Sequence, residues 1–148
     1  MKDFFLIYSM KKKKKILFIC TGNACRSQIA EGLLKSLAPE RYEVFSAGSQ
    51  PSKVHPMSIV VMQEIGIDIS QHTSDPISNY LNMKIDTVIT VCDNARGACP
   101  VFPGNVEKIH WSIQDPFRGW SLDSNDLVRF QEIREEIKER IIDFIDSS

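Results

Sequence analysis

The stretch Ile16-Leu17-Phe18-Ile19-Cys20-Thr21-Gly22-Asn23-Ala24-Cys25-Arg26-Ser27 decides the fold. Its first five residues form a continuous apolar run, the pattern of a strand buried on both faces. Thr21, Gly22 and Asn23 end that run. From Arg26 to Leu37 the apolar Ile29, Ala30, Leu33, Leu34 and Leu37 recur at helical spacing, and Pro39 stops them. A buried strand that passes through a short loop into a helix gathers backbone N–H groups at the helix N-terminus, where the dipole favours an anion. Gly22 lets the chain bend without a Cβ, and Asn23 tolerates left-handed geometry. The backbone of Thr21, Gly22, Asn23, Ala24, Cys25, Arg26 and Ser27 is therefore a candidate oxyanion cradle. Cys20 ends the strand as the candidate nucleophile, favoured as thiolate by the same donors. Arg26 offers a planar fork for a tetrahedral oxyanion, and Ser27 can donate to the Cys20 sulfur.

The alternation continues outward. Strands are expected at 42–47, 86–92 and 106–111. Helices are expected at 57–65, closed by Gly66, and at 127–145, with a short one inside 76–83. The last helix turns Leu127, Phe130, Ile133, Ile137, Ile141, Phe144 and Ile145 to one side, with Asn125 or Asp126 as its cap. Strands alternating with helices predict an α/β fold, a single three-layer domain with a four-stranded parallel sheet flanked by helices.

The 148 residues are 43% hydrophobic and 25% charged, which excludes a disordered chain, a collagen-like repeat and a disulfide-dense miniprotein. With 18 Lys plus Arg against 19 Asp plus Glu, the net charge of −1 argues against a general nucleic-acid or membrane binder. The lysine run 11–15 followed by an apolar stretch imitates a signal peptide, but the stretch is too short for a signal core or a membrane span. Residues 1–13 read as an N-terminal extension, disordered or preceding a true start at Met10, and 14–148 as the domain. A cytoplasmic monomer is expected. Thiols stay reduced there, so the four cysteines should be catalytic, metal-binding or buried rather than structural disulfides.

In a doubly wound sheet the first and third strands are neighbours across the switch point. Cys20 and Cys92 end those strands and should share the carboxyl edge where ligands bind. Disulfide geometry asks for Cα atoms about 4.4–6.8 Å apart, within reach of a modest shift. Asp115 follows the fourth strand to the same edge, as a candidate general acid. Cys25 reads as a buried loop residue and His55, before Pro56, as the start of a helix. His72 and His110 read as surface or strand-end residues, and Trp111 and Trp120 as packing residues. No second close pair of Cys or His completes a four-ligand zinc site, so no transition metal is expected.

The motif Cys20-Thr21-Gly22-Asn23-Ala24-Cys25-Arg26-Ser27 resembles the phosphate loop of the low-molecular-weight protein tyrosine phosphatase superfamily. The likeness runs from Lys14 to the carboxy terminus, through Ala30-Glu31-Gly32, Ser46-Ala47-Gly48, Gly66-Ile67-Asp68-Ile69-Ser70 and Thr73-Ser74-Asp75. The superfamily has a phosphotyrosine-hydrolysing branch and a branch of thioredoxin-coupled arsenate reductases. Val91-Cys92-Asp93-Asn94-Ala95, Cys99-Pro100 and Phe102-Pro103-Gly104 look like the second branch. The alternative is a phosphatase using Cys20, Arg26 and Asp115. It has no need of Cys92 or Cys99, and Phe117, Arg118, Gly119 and Trp120 stand where that branch usually has tyrosines. The resemblance implies arsenate reduction by a relay through Cys20, Cys92 and Cys99, with thioredoxin as partner and reductant and no tightly bound cofactor. It also implies a potassium site at Asn23, Glu31, Ser46 and Asp75.

Overall fold

The computed structural model describes residues 13–93 and 99–148. The extension drawn at 1–13 falls, apart from Lys13, outside the described residues, as does most of the segment joining Cys92 to Cys99. The order is β1 (Lys14–Cys20), α1 (Arg26–Leu37), β2 (Tyr42–Gly48), α2 (Pro56–Gln63), a 3₁₀ turn (Ile77–Tyr80), β3 (Thr87–Cys92), β4 (Glu107–Ser112) and α3 (Ser124–Ser147). The strands form one parallel sheet in the order β2-β1-β3-β4. β1 and β3 are thus neighbours, and the chain reverses its direction of progress across the sheet between them. The loop after β1 sits at that switch point, where α/β folds bind ligands.

β1 is buried on both faces, as its unbroken apolar run predicts: Ile16, Leu17, Phe18 and Ile19 are all fully buried. Ile16, Phe18 and Cys20 face a core built with all three helices, including Leu33 and Leu34 of α1, Val61 and Met62 of α2, and Phe130 and Ile137 of α3. Leu17 and Ile19 face a smaller core with Val88, closed by Phe102 and by Ile77 and Tyr80 of the 3₁₀ turn. The second face is therefore covered by a thin third layer. Among the described residues, no helix is long and apolar enough to cross a membrane.

Helix ends follow capping chemistry. Gly66, at φ +79°, closes α2 in a Schellman motif: Gly66 N–H donates to Gln63 O and Ile67 N–H to Met62 O, each at 3.0 Å. α3 begins earlier than its apolar pattern suggests. Its cap is Asp123, whose carboxylate accepts from Asn125 N–H at 2.9 Å, rather than Asn125 or Asp126. Asp126 instead lies inside the first turn, paired with Arg129.

Candidate active site

The loop from Cys20 to Arg26 is held from outside by its carbonyls. Thr21 O accepts from Gln50 N–H at 2.9 Å, Gly22 O from Ser52 N–H at 3.2 Å and Ala24 O from His55 N–H at 3.0 Å. Asn23 O accepts from the Gln28 side-chain amide at 3.0 Å. In a planar trans peptide the N–H points opposite to the C=O. Four carbonyls tied outward therefore turn the N–H groups of Gly22, Asn23, Ala24 and Cys25 toward the inside of the loop. α1 adds its own amides, because Cys25 at its N-cap makes no side-chain capping bond.

Asn23 takes the left-handed turn, at φ 47°. A Cβ on Gly22 would meet nothing nearer than Ser52 Oγ at 3.6 Å. The glycine that the loop requires is Gly48, at the end of β2 opposite Cys20. A Cβ there would lie 2.5 Å from Thr21 O and 2.9 Å from Asn23 N. Gly48→Ala is expected to cost about 1–3 kcal/mol and to push the cradle out of shape. Urea denaturation and aryl phosphate hydrolysis would read the two effects separately.

A buried chain of polar side chains fixes the loop from beneath. Asn23 Nδ2 donates to Ser27 Oγ at 2.8 Å and to Ser46 Oγ at 2.9 Å, and Ser46 Oγ donates to Glu31 Oε1 at 2.5 Å. Asn23 Oδ1 accepts from Asp75 N–H at 2.9 Å. Ser27 Oγ, receiving from Asn23, lies 2.9 Å from Cys20 Sγ, placed to donate to a thiolate. Asn23, Glu31, Ser46 and Asp75, the residues matched to a potassium site, are linked by these bonds, but Asn23 meets Ser46 through its nitrogen, its Oδ1 is taken by Asp75 N–H, and Lys35 Nζ already lies 2.5 Å from Glu31 Oε2.

Arg26 is buried, and its Nη1 donates to Ile113 O at 2.9 Å, which sets the plane of the guanidinium. Its Nη2 lies 3.6 Å from Asp115 Oδ2. Asp115 Oδ1 accepts from Phe117 N–H at 3.0 Å, so one carboxylate oxygen fixes the turn and the other faces the cavity. Cys20, Arg26 and Asp115 line one cavity of about 200 Å³ with Thr21, Gly22, Ala24 and Cys25. This is the constellation that the strand–loop–helix pattern and the placement of Asp115 predict. Cys25 is buried, and desolvation, reinforced by the nearby Cys20 and Asp115, pushes its thiol far up. It is unsuited to act as a second nucleophile.

Phe117 and Trp120, not expected as a substrate wall, also line the cavity. His55 holds them there. Its Nδ1 accepts from Met57 N–H at 3.0 Å, capping α2, so the ring proton is on Nε2, which donates to Gly119 O at 2.7 Å. The ring stacks on Trp120 with centroids 5.4 Å apart and meets Phe117 edge-on. His55 therefore couples the start of α2 to the loop carrying Asp115. Only its place before Pro56 hinted at this in the sequence. His55→Ala removes a cap, a buried hydrogen bond and ring packing, and is expected to cost about 2–4 kcal/mol in chemical denaturation.

Cys92 and Cys99 form a disulfide with Cα atoms 6.0 Å apart. Cys92 shares the carboxyl edge with Cys20 but not its face. The register sets Ile19 opposite Thr90, so Cys20 falls opposite Val91, and both pack in the larger core. Cys92, one residue on, points to the other side of the sheet. Joining Cys92 to Cys20 therefore requires Cys92 to leave the face on which it is bonded to Cys99.

Comparison with known proteins adds to this geometry. Residues 15–147 match the family "Low molecular weight phosphotyrosine protein phosphatase". The chain is 47% identical over 134 residues to arsenate reductase 1 of Staphylococcus epidermidis, covering 90% of this chain and 96% of that protein. An arsenate reductase solved in its phosphate-binding state is similar at a TM-score of 0.75 and 35% identity, over 90% of this chain and 98% of that one. A thioredoxin-dependent arsenate reductase of Corynebacterium glutamicum is similar at a TM-score of 0.69 and 31% identity, over 97% of this chain and 70% of that one.

Proposed function

This chain belongs to the low molecular weight phosphotyrosine protein phosphatase family, and on that footing we propose that it is an arsenate reductase working through three cysteines. The observation that carries the reading is the Cys92–Cys99 disulfide, set at the same sheet edge as the Cys20 cradle. Hydrolysis uses one thiol and leaves two without a task, whereas reduction needs a pair that can end oxidised.

Arsenate is held by the loop amides and the Arg26 fork. The Cys20 thiolate attacks arsenic, an As–S bond forms, and an arsenic–oxygen bond breaks as Asp115 gives its proton to the departing oxygen, which leaves as water. Arsenic is still As(V) at this stage. Cys92, deprotonated, then attacks Cys20 Sγ. A Cys20–Cys92 disulfide forms, and the As–S electron pair goes to arsenic, which leaves as As(III) in arsenite. Cys99 attacks Cys92 Sγ, releasing the Cys20 thiolate and leaving Cys92–Cys99 oxidised. An external dithiol reduces that pair by exchange and becomes a disulfide itself. Thioredoxin is the dithiol we propose, supported by the likeness to a thioredoxin-dependent reductase. A potassium ion would be held by oxygens of Glu31, Ser46 and Asp75 once the Lys35 ammonium leaves Glu31, and would brace the left-handed turn at Asn23 through the bond from Asp75 N–H.

Hydrolysis of aryl phosphates by the same cradle is the second reading. Phe117 and Trp120 in the cavity wall favour it, since an aromatic ring can stack there. The deciding assay follows NADPH consumption by the protein with thioredoxin and thioredoxin reductase on adding arsenate, beside phosphotyrosine hydrolysis. Arsenate-dependent consumption is expected. Phosphotyrosine turnover with no consumption would reverse the assignment.

A further inference from the structure

The smaller face of the sheet carries a second cluster. Thr90 and His110 are paired across β3 and β4, and Cys92 follows Thr90 by two residues, so all three side chains stand on the face opposite Cys20. A sulfur from each of Cys92 and Cys99 and an imidazole nitrogen of His110 lie within 4.8 Å of one another. His110 has an oriented ring. Thr90 Oγ1 lies 2.7 Å from His110 Nδ1 and 3.4 Å from Ile109 O, so the Nδ1 side of the ring is tied to β3. With Nδ1 engaged by Thr90, Nε2 is the nitrogen left for a ligand, and the Thr90 contact is of the kind that metal-bound histidines make through their other nitrogen. Beside the cluster, Thr90, Pro100, Val101 and His110 help line a cavity of about 170 Å³, which gives room for an approaching ion and a water.

We propose that, once the disulfide is reduced, Cys92, Cys99 and His110 form a binding site for a soft divalent cation of the zinc class. Two thiolates and an imidazole with an open fourth position are a zinc donor set, and the absence of a carboxylate among the three disfavours calcium or magnesium. Zinc–sulfur bonds of about 2.3 Å and zinc–nitrogen bonds of about 2.0 Å set ligand atoms roughly 3.5–4 Å apart, so the two sulfurs, bonded to each other in the disulfide, move apart on reduction while the imidazole nitrogen already lies within 4.8 Å of both. Reduction by an external dithiol takes two electrons and leaves two thiols. The cation then displaces their two protons without changing its own oxidation state. Metal and disulfide exclude each other, so a bound cation takes the pair out of thiol exchange. That consequence rests on the relay proposed above, whereas the binding itself does not.

The test titrates phosphine-reduced, reductant-free protein with zinc chloride against a chromophoric chelator, and with cobalt(II) chloride to read thiolate-to-metal bands. One equivalent should bind, with tetrahedral cobalt bands. His110→Ala should weaken zinc about tenfold or more, and Cys99→Ser further, while Cys20→Ser should bind as the native protein does. The disulfide form should bind none. Zinc should stop arsenate turnover and spare aryl phosphate hydrolysis. Equal affinity in the oxidised and reduced proteins, unchanged affinity in His110→Ala, or loss of binding in Cys20→Ser would each overturn the site. Failure of the metal-free native protein to turn over arsenate would count against the relay alone, because chelator competition reads the site independently.

Discussion

Cys20→Ser is expected to abolish arsenate reduction and aryl phosphate hydrolysis together, each by about 10⁴-fold or more. Both reactions begin with the same displacement at the bottom of the cavity, and serine in this cradle has no base to remove its proton. Cys25 cannot substitute, since burial holds its thiol protonated. The fold should survive, because serine is smaller than cysteine and Ser27 Oγ at 2.9 Å can bond to it in place of the sulfur. The check pairs the two assays with a denaturation curve. Loss of activity with an unchanged midpoint is the expected pattern, and retained reductase activity would remove Cys20 from the mechanism.

The second large effect separates the two chemistries. Cys92→Ser and Cys99→Ser should each bring multiple-turnover arsenate reduction to background. Hydrolysis of a small aryl phosphate should stay within about threefold of the native rate. The physical ground is the sheet itself. Cys92 and Cys99 lie across it from the cavity, outside the lining formed by Cys20, Arg26 and Asp115. Their loss therefore leaves the cradle, the fork and the acid in place. The two variants should differ in where they stop: Cys92→Ser with arsenic still attached to Cys20, and Cys99→Ser with a Cys20–Cys92 disulfide. Mass spectrometry of quenched samples would distinguish them.

What could be read from the chain was what is local. The apolar run of β1, the loop motif and the first helix are contiguous, and each rests on spacing or on one residue's chemistry. The order of β1 and β3, and hence the shared edge of Cys20 and Cys92, followed from general rules for parallel sheets. Register did not. Whether Cys92 stands opposite Cys20 or one residue beyond it decides which face its sulfur takes, and a single-residue slip reverses the answer. The same register brings His110 beside Cys92 from eighteen residues away, so no local pattern announced that cluster. Gly48 lies just past the strand expected at 42–47, and its need for no side chain arises from Thr21, far off in sequence. His55 read as a helix start, which it is, but its bond to Gly119 depends on how a distant loop folds back. At α3, Asp123, Ser124, Asn125 and Asp126 are all competent caps, and propensity alone does not choose among them.

The relay is tested most directly by a single turnover. Fully reduced protein, freed of reductant, is mixed with one equivalent of arsenate and quenched with an alkylating agent. Arsenite is then quantified and the thiols are mapped by peptide mass. One arsenite per chain is expected, with Cys92 linked to Cys99, and Cys20 and Cys25 alkylated. Arsenite formed while Cys92 and Cys99 are both alkylated, or no arsenite from protein that still hydrolyses an aryl phosphate, would contradict it.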